Sequence, residues 1–131
     1  MDWKELYEMA ISKNNPQVIS PFTSSGYITC LIYSTHGNVY IGSNIISTTA
    51  LKMTAEENAL VKMITNQDYT ISKMLLINEI GEILQPDAKS FYFLLDFIDN
   101  NSELLTSVDY ETKKVSSLLP EWWGTFRIDR V

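Results

Sequence analysis

Two carboxylates stand where short motifs open helices. Glu56 follows Thr54-Ala55, and Asp87 follows Pro86. Paired carboxylates do general acid and base work when burial splits their pKa values. Placed side by side, they could also hold a hard, oxygen-seeking cation such as magnesium. A plainer reading exists for each. Thr54-Ala55-Glu56-Glu57 matches a capping box, with Thr54 as N-cap and Glu57 at the third helical position. An acid in a first turn is favoured by the helix dipole, and Asp87 suits an N-cap. Softer ligands are scarce: one cysteine, Cys30, and one histidine, His36. Cys30 falls mid-strand and His36 in a turn, away from both helix starts.

The elements that must position these groups follow from periodicity. Asp2 to Lys13 reads as a helix, with Trp3, Leu6, Tyr7 and Ala10 on one face and Asn14-Asn15-Pro16 as its stop. A loop with Pro16 and Pro21 runs to Gly26. Tyr27 to Ser34 and Val39 to Asn44 read as a β-hairpin around Thr35-His36-Gly37-Asn38. Ile45 to Met53 reads as a loop. The helix opened by Thr54 places Ala55, Ala59, Leu60 and Met63 on one face and fades near Asn66. Ile71 to Asn78 is apolar enough for a strand buried on both faces. Glu79 to Glu82 turns. Asp87 opens a third helix with a stripe of Phe91, Leu94, Leu95 and Ile98, ended by Asn100-Asn101. Short strands follow at Glu103 to Val108 and Thr112 to Ser116. This order predicts a mixed sheet with helices packed on it.

Composition narrows the function classes. The chain has 131 residues, 45% of them hydrophobic and 20% charged. It is expected to form a single domain over residues 1–131 with a core of its own. The net charge of −6 argues against nucleic-acid binding and against a polybasic membrane-surface role. The first residues lack the apolar run of a signal peptide, and no apolar stretch is long enough to span a membrane. A lone cysteine fits a reducing, cytoplasmic setting. Between Lys13 and Lys52 there is no Asp, Glu, Lys or Arg. Such a polar-aromatic stretch suits buried strands or a subunit interface.

Four stretches, in order along roughly residues 1 to 124, resemble the cytidine deaminase family. Gly37-Asn38-Val39-Tyr40-Ile41-Gly42-Ser43-Asn44-Ile45 looks like its hairpin turn and second strand. Thr54-Ala55-Glu56 falls where the family has Cys-Ala-Glu. Pro86-Asp87-Ala88-Lys89-Ser90 falls where it has Pro-Cys-x-x-Cys. Leu118-Leu119-Pro120 is similar to its terminal Leu-Leu-Pro, which an aromatic follows. The resemblance implies an α/β three-layer sandwich: a mixed five-stranded sheet with helices on both faces.

For the site, the resemblance implies a zinc ion whose bound water becomes the nucleophile, and a Glu that moves the proton. Glu56 takes that proton-shuttle position. The three metal-ligand positions carry Thr54, Asp87 and Ser90. Hydroxyls are poor zinc ligands, so no metal or other cofactor is expected here although the family uses zinc. Asn44 matches a ribose-contacting Asn, while Ile46 replaces a ribose-binding Glu. Phe22 and Trp123 fall near aromatics that line the base pocket, the second from a neighbouring subunit in tetrameric members. Phe91 and Tyr92 replace an Arg-Gln pair. The expectation is a cytidine-deaminase-like pseudo-enzyme that keeps nucleoside-like ligand binding, homo-oligomeric assembly as a dimer or tetramer, or both. One alternative is an active deaminase or hydrolase on a changed substrate, using Glu56 and Asp87 with another metal or none. Another is a non-catalytic protein-interaction subunit.

Overall fold

Alternation along two strands decides the architecture. Successive strand residues point to opposite faces of a sheet. In β2 (Thr23–Ser34), Cys30 and Ile32 join one buried cluster while Leu31 joins another. In β5 (Ile71–Ile77), Met74 and Leu76 join the first, and Leu75 and Ile77 the second. Both strands are therefore apolar on both sides, and each side must be covered. The computed structural model describes residues 1–48, 51–86, 90 and 94–118.

Two helices cover the two faces. α1 (Trp3–Lys13) buries Leu6 and Ala10 against Leu31, Leu75, Ile77 and Leu105. Asp2 caps it, accepting from the Glu5 N–H at 2.8 Å. α2 (Ala55–Thr65) buries Ala59, Leu60 and Met63 against Cys30, Ile32, Met74 and Leu104. Each such leucine withdrawn from water contributes roughly 1.5–3 kcal/mol. Helices thus lie on both faces of the sheet, as expected.

Among the described residues the sheet is the expected mixed one, with short strands added to the five foreseen. Its eight members include β3 (Val39–Ser47), β4 (Lys52–Met53), β7 (Ile98–Leu105) and β8 (Thr112–Lys114), in the order β4-β3-β2-β5-β7-β8. The β5–β7 pair is parallel and the others are antiparallel, so the sheet is mixed. Two further short strands join it: β1 (Gln17–Ser20) pairs with β2 and β6 (Ile83–Leu84) with β5.

Four expectations change. The proline-bearing loop contains β1, because Gly26 at φ +86° lets β2 break register between Ser25 and Thr29 and run back to Thr23. A side chain at Gly26 would fall on the carbonyl of Asn15. Ile45 to Met53 is not all loop: β3 continues to Ser47 and β4 returns beside it. The third helix stops short of Ile98, which opens β7, and Asn100-Asn101 lies inside that strand rather than ending a helix. Ser102 makes this possible. Its hydroxyl donates to the Ile71 carbonyl at 2.6 Å, tying β7 to β5 across a register shift. Leu94 and Ser90 are helical, and Asp87, Phe91 and Tyr92 lie outside the described residues. Val115 to Leu118 forms a 3-10 turn where the last strand was expected to continue.

Candidate functional site

Gly42 sets the distance between the two elements that build the site. It lies in β3 under α2, and a Cβ there would fall on the backbone nitrogen of Ala59 and 2.8 Å from the carbonyl oxygen of Ala55. Only glycine permits this approach. Asn58 then clamps the pair, its amide donating to the Ser43 carbonyl at 3.0 Å. The N-terminus of α2 is thereby held beside the end of β3.

At that junction lies a pocket of about 290 Å³. Asn44, Thr54 and Glu56 line it together. Ile28, Ile46, Met53, Leu76 and Leu84 supply apolar walls, and Lys52 and Gln85 stand at its exposed edge. Small-molecule sites in proteins share this composition of apolar walls and a few polar groups. The sequence expectations Asn44, Thr54 and Glu56 are brought to one place. Lys52 and Gln85 were missed, because no motif marks them.

Each polar group has a defined state. Asn44 is buried, and its Oδ1 accepts from the Ile28 N–H at 2.9 Å. That bond satisfies the β2 backbone at the point where the register breaks. Thr54 is the N-cap of α2, its Oγ1 accepting from the Glu57 N–H at 3.1 Å. Glu56 is only 5% exposed, unusual for a first-turn carboxylate that could reach solvent. Cys30 was expected to lie away from the helix starts. Instead the alternation of β2 turns it toward α2, within the electrostatic reach of Glu56. Burial, and then the Glu56 carboxylate, push its thiol pKa well above the usual value.

The remaining sequence candidates fall elsewhere. Phe22 is 62% exposed between β1 and β2 and does not line the pocket. Its placement is local: β1 ends at Ser20, whose hydroxyl accepts from the Phe22 N–H and turns the ring outward. Ser90 is buried. Asp87 and Trp123 lie outside the described residues. His36 sits at the hairpin tip, as the sequence indicates, where its Nδ1 meets Asp68 at 3.0 Å. Among the described residues no three of His, Cys, Asp and Glu cluster as a metal group would. Among them, too, no helix is long and apolar enough to cross a membrane.

No protein-family model matches the chain, and no curated protein matches it by sequence. By structure it is similar to cytidine deaminases. That from Mycobacterium tuberculosis aligns with a TM-score of 0.75 and 18% identity over 92% of this chain and 96% of that one. That from Mycobacterium leprae gives 0.74 and 15% over 92% and 99%. That from Burkholderia pseudomallei gives 0.73 and 17% over 92% and 98%. The chain has a cytidine-deaminase-like fold.

Proposed function

We propose that this protein uses the cytidine deaminase scaffold to bind a nucleoside-like small molecule without zinc-dependent deamination. The observation that carries the reading is the pocket where Asn44, Thr54 and Glu56 converge. Its location at the start of α2 is where the resemblance places the family's site.

The donor chemistry does not fit zinc. A structural or catalytic zinc takes thiolate, imidazole or carboxylate ligands. Thr54 offers a hydroxyl already engaged as a helix cap, and Ser90 offers another hydroxyl. Asp87 alone does not make a three-ligand site. Without a metal-bound hydroxide, Glu56 has no activated water to exchange protons with. The reading also holds the protein to be cytoplasmic and to assemble with copies of itself. The charge-free run from Asn14 to Leu51 supports assembly, since a chain of net charge −6 repels its own copies least through a neutral surface.

The test is a thermal-shift panel on protein assayed for bound metal. The panel holds cytidine, deoxycytidine, uridine, their phosphates and the free bases. A ligand at about 100 times its Kd adds roughly 2.7 kcal/mol of stability. The expected result is a shift from at least one pyrimidine compound, with no zinc bound and no ammonia released from cytidine. Zinc-dependent ammonia release that Glu56→Gln abolishes would replace this reading with a working deaminase.

A further inference from the structure

We infer that the pocket at the start of α2 takes a ligand bearing an anionic substituent, which Lys52 receives at the pocket mouth. This rests on the reading of that pocket as a small-molecule site and adds the charge of its occupant.

Two side-chain donors in the pocket have no protein partner among the described residues. Lys52 lines it from β4 and is exposed, and among the described residues its side chain makes no hydrogen bond or ion pair. Asn44 is only 6% exposed, yet among the described residues its side-chain bond uses Oδ1 and leaves the amide nitrogen for the pocket it lines. An amide nitrogen on the lining of a pocket can donate to an acceptor on a ligand. The walls between these two donors are apolar: Ile28, Ile46, Met53 and Leu84. A ligand that satisfies all three features has a flat apolar body, an acceptor on its inner edge and a negative group on its outer one.

Charge placement points the same way. Lys52 is the first charged residue after the neutral run that begins at Asn14. In a chain of net charge −6 it stands beside the pocket with no carboxylate paired to it among the described residues. Glu56, at the inner end, is suited to a hydrogen-bond donor rather than to an anion. The two charges therefore order the ligand: the edge that carries both an acceptor and a donor inward, the anion outward. The volume of about 290 Å³ sits at the lower end of the range for small-molecule sites, so the body is a single substituted ring or a nucleoside. The anion is a carboxylate on the ring itself or a phosphate on an attached sugar, and the two sources can be separated.

The experiment compares matched pairs by titration calorimetry at low salt: uracil against orotate, and cytidine against cytidine 5′-monophosphate. Each is titrated into wild-type, Lys52→Glu, Lys52→Gln and Lys4→Glu proteins, with folding checked by circular dichroism. Lys4 is exposed on α1, across the sheet, and Lys4→Glu makes the same change in net charge. The expected result is tighter binding of the charged member of at least one pair, by roughly two- to fivefold, the range for an exposed ion pair. The gain disappears in Lys52→Gln, reverses in Lys52→Glu, survives in Lys4→Glu and shrinks with added salt. A gain for orotate assigns a ring carboxylate, and a gain for the monophosphate assigns a sugar phosphate. If the neutral members bind with no preference for the anion, or the preference persists without Lys52, the inference fails while the pocket reading stands. If none of the four compounds binds, both fail.

Discussion

The imidazole of His36, at the tip of the β2–β3 hairpin, meets the carboxylate of Asp68, just past the end of α2, at 3.0 Å. Asp68 is 2% exposed, whereas the His36 side chain is 74% exposed. The same carboxylate accepts from the Asn38 amide at 3.2 Å and the Tyr40 hydroxyl at 3.0 Å. The Asn66 amide donates in turn to the Tyr40 hydroxyl at 2.8 Å. One acid thus ties a hairpin turn to a helix end. Replacing it by alanine strands these donors, the buried Tyr40 hydroxyl among them. The expected loss for Asp68→Ala is about 2–4 kcal/mol, read from urea unfolding, with Asp68→Asn losing less.

Acid should undo part of that stabilisation. Burial pulls the Asp68 pKa up, but side-chain hydrogen bonds from Ser34, His36, Asn38 and Tyr40 outweigh it and bring the value from 3.8 to about 2. A group whose folded pKa is depressed stabilises the fold above its unfolded pKa and loses that contribution as pH falls through the folded one. The contribution is therefore complete above about pH 4 and is lost between there and about pH 2, on the order of 1–2 kcal/mol. The stability gap between wild type and Asp68→Asn should narrow across that window. A gap of constant width from pH 5 to pH 2 would show that the charge is not what stabilises the cluster.

Two glycines should respond to alanine differently. At Gly42 the obstacle is backbone on α2, which cannot swing aside as a side-chain tip can. Gly42→Ala must push α2 off β3 and is expected to cost about 2–4 kcal/mol and distort the pocket. Gly37, at the hairpin turn, has φ +86° but its nearest obstacle is the Tyr33 hydroxyl, 3.7 Å away. Gly37→Ala meets only the left-handed backbone, for about 1 kcal/mol. Equal losses at the two positions would contradict the close helix–strand approach.

These glycines also mark what could be read from the sequence. The helix Thr54 opens is legible because a cap and an apolar stripe agree over one local segment, and the structure places it at Ala55–Thr65. The convergence of Asn44, Thr54 and Glu56 needed the order of four short motifs rather than any single one. Strands β1, β4 and β6 were not legible, since two to four residues carry too little periodicity and form only because a longer neighbour offers an edge. Ile98 completed a helical stripe by spacing yet belongs to β7, where pairing with Ile71 outweighs the local pattern. Lys52 was invisible as a site residue because its meaning depends on the return of β4 beside β3.

The cap itself can be weighed apart from any ligand role. Thr54→Ala removes the acceptor for the Glu57 N–H and is expected to cost about 1 kcal/mol in thermal or urea unfolding. Thr54→Ser keeps the oxygen and should stay near wild type. Should Thr54→Ala leave stability intact while weakening ligand binding, the hydroxyl would serve the pocket rather than the helix.

Cys30 provides a probe of how tightly the layer beneath Glu56 is closed. Its side chain has no exposure, and burial and the Glu56 carboxylate both hold the thiol in its neutral form. The thiolate is the reactive species, so native protein at pH 8 should react with Ellman's reagent only as it opens. The rate should be slow and should rise with urea in step with unfolding, reaching one thiol per chain when denatured. Glu56→Gln removes the charge that acts on the thiol but leaves it buried. Its rate should therefore follow its own stability rather than increase by itself. Fast, stoichiometric labelling of the folded wild type would mean that Cys30 reaches solvent through the pocket floor, and the packing of β2 against α2 would have to be looser than described.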